Sequence, residues 1–266
     1  MRRKFVAIVF WIAPLIGFCQ QGLLSDFLSA SSTGIKEGPQ KIRDHITYLH
    51  SKRSKNEIGL LHKIFWSTQK RFLKTYSPYE TFGELFVSGK YDCLTATSLY
   101  SLFLSEFNFD FNIIETNYHI FIVVHTSSGD VLFETTDRFN GFVQDKKEIE
   151  SRIGIYKENL IAATKPNSTY YSYSFDLYKK ISPFQLTGLL HFNRAVNAFN
   201  NHEWLTCANE LALSESKYES PRVKELAALL VQSVIISDDA NEETKEVVLR
   251  RFKSHWLEKQ PTVSSN

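Results

Sequence analysis

Apolar residues recur at helical spacing along much of the chain. Ile42, Ile46 and Leu49 fall at i, i+4 and i+7, and Ile58, Leu61, Ile64 and Phe65 continue the stripe after the basic break SKRSK. This predicts helix from Lys41 to Tyr76. Pro78 ends it, because proline removes a donor and pushes its neighbour out of the helical region. Phe82, Leu85 and Phe86 predict a short helix before the turn SGKYD. Leu94, Ala96, Leu99, Leu102, Phe103 and Phe107 then define one broad apolar face of a helix that opens at Cys93. The period shortens after NFD. FNIIE, YHIFIVVH and VLFETT are short, β-branched and aromatic, as strands are, and TSSGD joins the last two as a hairpin. The polar segment 143–165 predicts a helix or irregular cover. Beyond Pro183 the apolar spacing is helical again, through two helices joined near Asn200–His202 and a third opened by Pro221.

The pattern gives an α+β chain: helices, a helix packed on a small antiparallel sheet, then an α-helical hairpin region. Four stretches follow from it. Residues 1–19 read as a signal peptide and 20–40, with SASSTGIKEGPQ, as a linker. Residues 41–180 form the main domain with its N-terminal helices, and 181–260 the helical region.

Composition adds bounds. The chain has 266 residues, 43% of them hydrophobic, enough for a sizeable core. A net charge of +2 excludes wholesale nucleic-acid binding. The N-terminus joins MRRK to an apolar run of about 14 residues, short for a bilayer span. Cleavage after Cys19 predicts a secreted or periplasmic protein, touching membrane only through this segment if it is retained. A lipid-modified Cys19 or an N-terminal anchor is the alternative. Two cysteines then remain, Cys93 and Cys207, available for one disulfide or for separate roles. Asn167-Ser168-Thr169 is a glycosylation sequon that matters only in a eukaryotic secretory host.

A thiol nucleophile needs an anionic sulfur, an imidazole, and a third group to orient that imidazole. Cys93 sits where a helix N-terminus favours negative charge, and Asp92 is placed to cap that helix. His119 lies early in a strand, on one face with Phe121 and Val123. His125, near the hairpin end, reads as a surface residue, and Cys207 as packing. Two acids compete for the third role. A three-residue loop Ser127-Ser128-Gly129, with Gly129 left-handed, pairs Thr126 with Asp130 and sets His119 opposite Asp137. A one-residue slip turns Glu134 to that face instead. The turn chemistry favours Asp137 over Glu134.

Cysteine, histidine and acid in this order resemble the transglutaminase-like superfamily. Gly89-Lys90-Tyr91-Asp92-Cys93 resembles the glycine-aspartate-cysteine stretch that opens the family's core helix, and His119 with Phe121 its histidine and following aromatic. Asp137 or Glu134 matches its aspartate. DRFNG resembles the Asp-Pro-Phe-Asn-Gly segment of a bacterial branch, with Arg138 where proline is usual, whereas FETT resembles the Asp-Pro-Thr ending of the broader family. The resemblance covers residues 80–145. It implies a papain-like core and a Cys93–His119–acid triad acting on amide or isopeptide bonds of a peptide or protein, with hydrolysis favoured over cross-linking. The family's tryptophan near the histidine and its upstream oxyanion donor have no counterpart; Tyr91 and Asn117 are the candidate donors. The alternative is a non-catalytic scaffold of the cell envelope. Trp204, Ala208 and Pro221 resemble positions of tetratricopeptide hairpins, which implies a protein partner for the C-terminal helices. No phosphate loop, dinucleotide fingerprint or zinc spacing occurs, so neither metal nor cofactor is expected.

Overall fold

A computed structural model describes residues 17–52, 56–117, 119–157 and 177–258. The signal-peptide reading (apart from residues 17–19), the sequon and the SKRSK break (apart from Ser51 and Lys52) lie outside them. Three helices lead: α1 (Gly17–Ser29), α2 (Glu37–Ser51) and α3 (Glu57–Phe72). Residues 20–40 are therefore not a linker. Phe27, Leu28 and Ala30 are core residues, and the Phe27 ring meets Phe82 at 5.3 Å. Burial of these side chains outweighs the polar composition that follows them, which runs through the turn into the start of α2.

A two-residue parallel bridge follows, β1 (Thr75–Tyr76) with β2 (Lys90–Tyr91), enclosing the short α4 (Glu84–Val87). Helix α5 (Cys93–Glu106) comes next. Its sequence suggests one apolar face, yet every residue from Leu94 to Leu104 is buried. Such a helix must satisfy its polar groups internally. Ser98 and Ser101 donate to the carbonyls of Leu94 and Ser98 at 2.9 and 2.8 Å, and the Tyr100 hydroxyl donates to the Phe65 carbonyl at 2.8 Å.

The sheet is five-stranded and antiparallel, in the order β6 (Phe142–Val143), β5 (Gly129–Phe133), β4 (Ile120–Thr126), β3 (Asp110–Thr116), β7 (Tyr178–Ile181). Strand alternation splits its residues between two cores. Ile113, Ile122, Val124, Val131 and Phe133 join the large core around α3 and α5. Ile114, Phe121, Val123 and Leu132 face Ile149 of α6 (Lys146–Lys157).

The β4–β5 turn departs from the expected register. Thr126 pairs with Gly129 around a two-residue loop, and His125 pairs with Asp130. Gly129 does have a positive φ, 122°. The displacement has a tertiary cause. Glu57, at the start of α3, accepts from the Ser127 amide and hydroxyl at 3.1 and 2.6 Å and anchors the turn.

The C-terminal helices are α7 (Pro183–Asn200), α8 (Trp204–Lys217), α9 (Pro221–Ile236) and α10 (Glu242–Glu258). They build a core of their own from Phe192 to Phe252. Helix α7 also packs on α5, so the helical region borders the sheet unit directly. No helix among the described residues is long and apolar enough to cross a membrane.

Candidate functional site

Cys93 is the first residue of α5, and the run before it fixes it there. Asp92 is the N-cap of a reciprocal capping box: its Oδ1 accepts from the Thr95 amide at 2.8 Å, and the Asp92 amide donates to Thr95 Oγ1 at 2.9 Å. The second oxygen, Oδ2, accepts from Asn193 Nδ2 of α7 at 2.9 Å. Burial pushes the Asp92 carboxyl up to about 6, and the Thr95 hydrogen bonds only partly oppose it. Cys93 itself is half-buried and forms no disulfide; Cys207 is also free and fully buried.

His119 immediately precedes β4. The turn from β3 holds it by paired bonds: the Thr116 amide donates to the His119 carbonyl at 2.8 Å, and the His119 amide to Thr116 Oγ1 at 3.1 Å. The ring's Nε2 lies 2.6 Å from Glu134 Oε2. The register explains the choice of acid. With Ile122 opposite Phe133, Glu134 falls on the face of Phe121 and His119.

Asp137 is elsewhere. Its Oδ1 caps the loop by accepting from the Phe139 and Asn140 amides at 3.1 and 2.8 Å, and its Oδ2 meets Arg152 Nη1 at 3.3 Å. The preference for Asp137 is thus corrected: the acid on the imidazole is Glu134. The Glu134–Gly141 closure depends on glycine. The Glu134 amide donates to the Gly141 carbonyl at 2.8 Å, and a Cβ on Gly141 would lie 2.2 Å from the Glu134 oxygen.

Glu134 is fully engaged. Oε2 also accepts from the Tyr156 hydroxyl at 2.7 Å, and Oε1 from Thr136 Oγ1 at 2.7 Å. Burial alone would raise its pKa, but the hydrogen bond and charge of His119, with the two hydroxyls, hold it down at about 2. His119 shows the mirror image. Burial is the largest single influence and lowers it. Hydrogen bonds and charge from Cys93 and Glu134 together outweigh burial and raise the imidazole to about 10. The imidazole is therefore influenced by both groups, Glu134 through the 2.6 Å contact and Cys93 through its proximity. The Tyr156 ring lies 5.0 Å from it.

A cleft of about 270 Å³ opens over this pair. Cys93 and His119 line it together with Tyr76, Tyr79, and Leu189 and Asn193 of α7. Of the candidate oxyanion donors, Asn117 lines the cleft, and its Oδ1 accepts from the Leu177 amide at 2.5 Å. Tyr91 is buried, its ring against Tyr76 at 5.8 Å. As a first-turn amide, the Cys93 N–H has no carbonyl within its own helix. No cluster of three or more potential metal ligands occurs among the described residues.

Sequence reasoning missed Tyr76, Tyr156, Asn193 and Arg222. Tyr156 had a signal: Ile149, Ile153 and Tyr156 are spaced i, i+4, i+7 within the polar segment and mark the buried face of α6. Asn193 and Arg222 had none, since only the packing of α7 and α9 brings them to the cleft. Comparison with known proteins returns no matching family model, no characterised relative and no solved structure.

Proposed function

We propose that the protein is a cysteine amidase or peptidase of transglutaminase-like type, built on a papain-like core and exported through its N-terminal segment. One observation carries the reading: in an open cleft, His119 is held by Glu134 at 2.6 Å and interacts with Cys93 at a helix N-terminus. The order along the chain agrees with the family resemblance. In the reaction, the Cys93 sulfur, as thiolate, attacks the carbonyl carbon of an amide and forms a C–S bond. The carbonyl electrons move to oxygen, where the Cys93 amide at the helix N-terminus is the donor. Collapse breaks the C–N bond, and the amine leaves with the proton that imidazolium His119 donates. Water, deprotonated by His119, then cleaves the thioester, releases the acid and restores the thiolate–imidazolium pair. Glu134 keeps the imidazole oriented throughout.

The test is iodoacetamide modification of Cys93 at pH 6, followed by mass spectrometry. Substituting His119→Ala is expected to slow it about 100-fold, since the imidazole is the base partner that activates the thiol. An unchanged rate in that variant rejects the reading and leaves a non-catalytic scaffold, which the separate C-terminal core and the exposed Leu205 and Leu213 on α8 would suit.

A further inference from the structure

The cleft carries a second cation besides His119. Arg222, in the first turn of α9, lines it together with Cys93, His119, Glu115 and Asn117. Its Nε lies 3.0 Å from Glu115 Oε1, an ion pair whose angle falls short of an aligned hydrogen bond. Its Nη2 donates to the Thr116 carbonyl. Glu115 is held from behind as well: Oε2 accepts from the Tyr218 hydroxyl at 2.5 Å, and Lys179 is its cross-strand partner. The guanidinium of α9 is thus held by two neighbouring residues at the end of β3, Glu115 and Thr116.

The arrangement repeats that of His119. In each pair the cation is the more exposed member and the carboxylate lies behind it. The Arg222 side chain is 12% exposed against 2% for Glu115, and that of His119 16% against 5% for Glu134. The remaining acid of the cleft, Asp92, is buried and saturated by Thr95 and Asn193. In both pairs the cation is thus the member more accessible from the cleft. A fixed guanidinium in a partly desolvated cleft binds carboxylates, with two donors in a rigid fork. The cleft, at about 270 Å³, lies just below the range of about 300–1,000 Å³ usual for small-molecule sites.

We infer that Arg222 forms a carboxylate subsite, so that the protein acts on amides whose neighbouring residue ends in a free carboxyl group, as at a peptide C-terminus. The inference rests on Cys93 being the nucleophile of this cleft. Its chemistry is distinct from that of the triad, because Arg222 recognises charge and takes no part in bond-making.

Two probes test it on the full-length chain: N-iodoacetyl-alanine and N-iodoacetyl-alaninamide. They share a reactive carbon and differ only in the terminal carboxylate. In the wild type the acid should modify Cys93 about tenfold faster than the amide, an advantage that fades at high salt. Arg222→Gln should bring the two rates to within about twofold. Glu115→Gln removes the competing anion and should widen the preference, an opposite sign that loss of structure does not produce. Equal rates in the wild type, or a preference unchanged in Arg222→Gln, overturn the subsite. Failure of the Cys–His reading shows separately, as iodoacetamide reactivity that ignores His119. If Arg222→Gln does not fold, the wild-type ratio and the Glu115→Gln variant still decide.

Discussion

Among the described residues, two buried histidine–glutamate pairs each have a cysteine in the same part of the fold, and one of them lines a cleft. In the sheet unit, His119 Nε2 lies 2.6 Å from Glu134. In the C-terminal helices, His191 Nδ1 of α7 lies 2.7 Å from Glu210 of α8, and Cys207 is three residues from that glutamate. The inventories match and the surroundings do not. Cys93 stands at a helix N-terminus with its flank open to solvent. Cys207 lies inside α8, fully buried, and burial with the charge of Glu210 pushes its thiol up to about 12. Glu210 is shared with Arg194 at 3.1 Å, so the second pair fastens α7 to α8. Residue types alone therefore do not make a site. Helix position and access separate a nucleophile from a packed thiol.

The largest expected effect tests that contrast directly. With the native chain at pH 7 and limiting iodoacetamide, peptide mapping should find Cys93 modified at least about 1,000-fold faster than Cys207. A thiol with a pKa near 12 is ionised to only about 1 part in 100,000 at neutrality, and it is shielded as well. In guanidinium both should react alike. Native-state rates within tenfold of each other would break the comparison.

A smaller effect separates the acids. Glu134→Gln should slow amide turnover and acid-range labelling of Cys93 by about 100-fold, the usual scale for disturbing a general acid–base partner. Asp137→Asn should leave both within about twofold, because Asp137 serves the loop and Arg152. Glu210→Gln should leave Cys93 unaffected and cost about 3 kcal/mol of stability, as breaking a buried ion pair does. Labelling rates and guanidinium midpoints read the two kinds of loss. If Asp137→Asn proved the slower variant, Glu134 would lose its role.

That experiment also marks the limit of what the sequence discloses. The start of α5 was legible because the signal is local: Asp92 and Thr95 are three apart and form the cap whatever surrounds them. Cys93 and His119 were legible from residue type and strand alternation. The acid was not, because the hairpin register hangs on Glu57, seventy residues from Ser127. Turn chemistry favoured one register, and a tertiary bond fixed another. The lead-in to α2 and the whole of α10 were hidden by polar composition, although Phe27, Val248 and Phe252 are buried. The α7 contribution to the cleft was illegible in principle, since Asn193 lies 101 residues from Asp92.

The smallest effect sits on the bond that joins the two regions. Asn193 donates from the C-terminal helices to the buried N-cap carboxylate of α5, next to Cys93. Asn193→Ala removes this donor and should cost about 1.5–3 kcal/mol, the scale of a hydrogen bond to a charged group. The loss should depend on pH with a definite sign. Burial holds the Asp92 carboxyl up at about 6, above its ordinary 3.8, so folding disfavours the ionised form. That cost is present above pH 6, fades as pH falls through the window, and is absent below about pH 4. Without Asn193 the ionised carboxylate is worse off still, so the variant should lose more stability at pH 8 than at pH 4. Equal losses at both pH values would mean that Asn193 contributes packing only. A loss confined to pH 8, together with slower Cys93 labelling, would show that the helical region holds the N-cap on which the nucleophile stands. The catalytic unit would then include both regions.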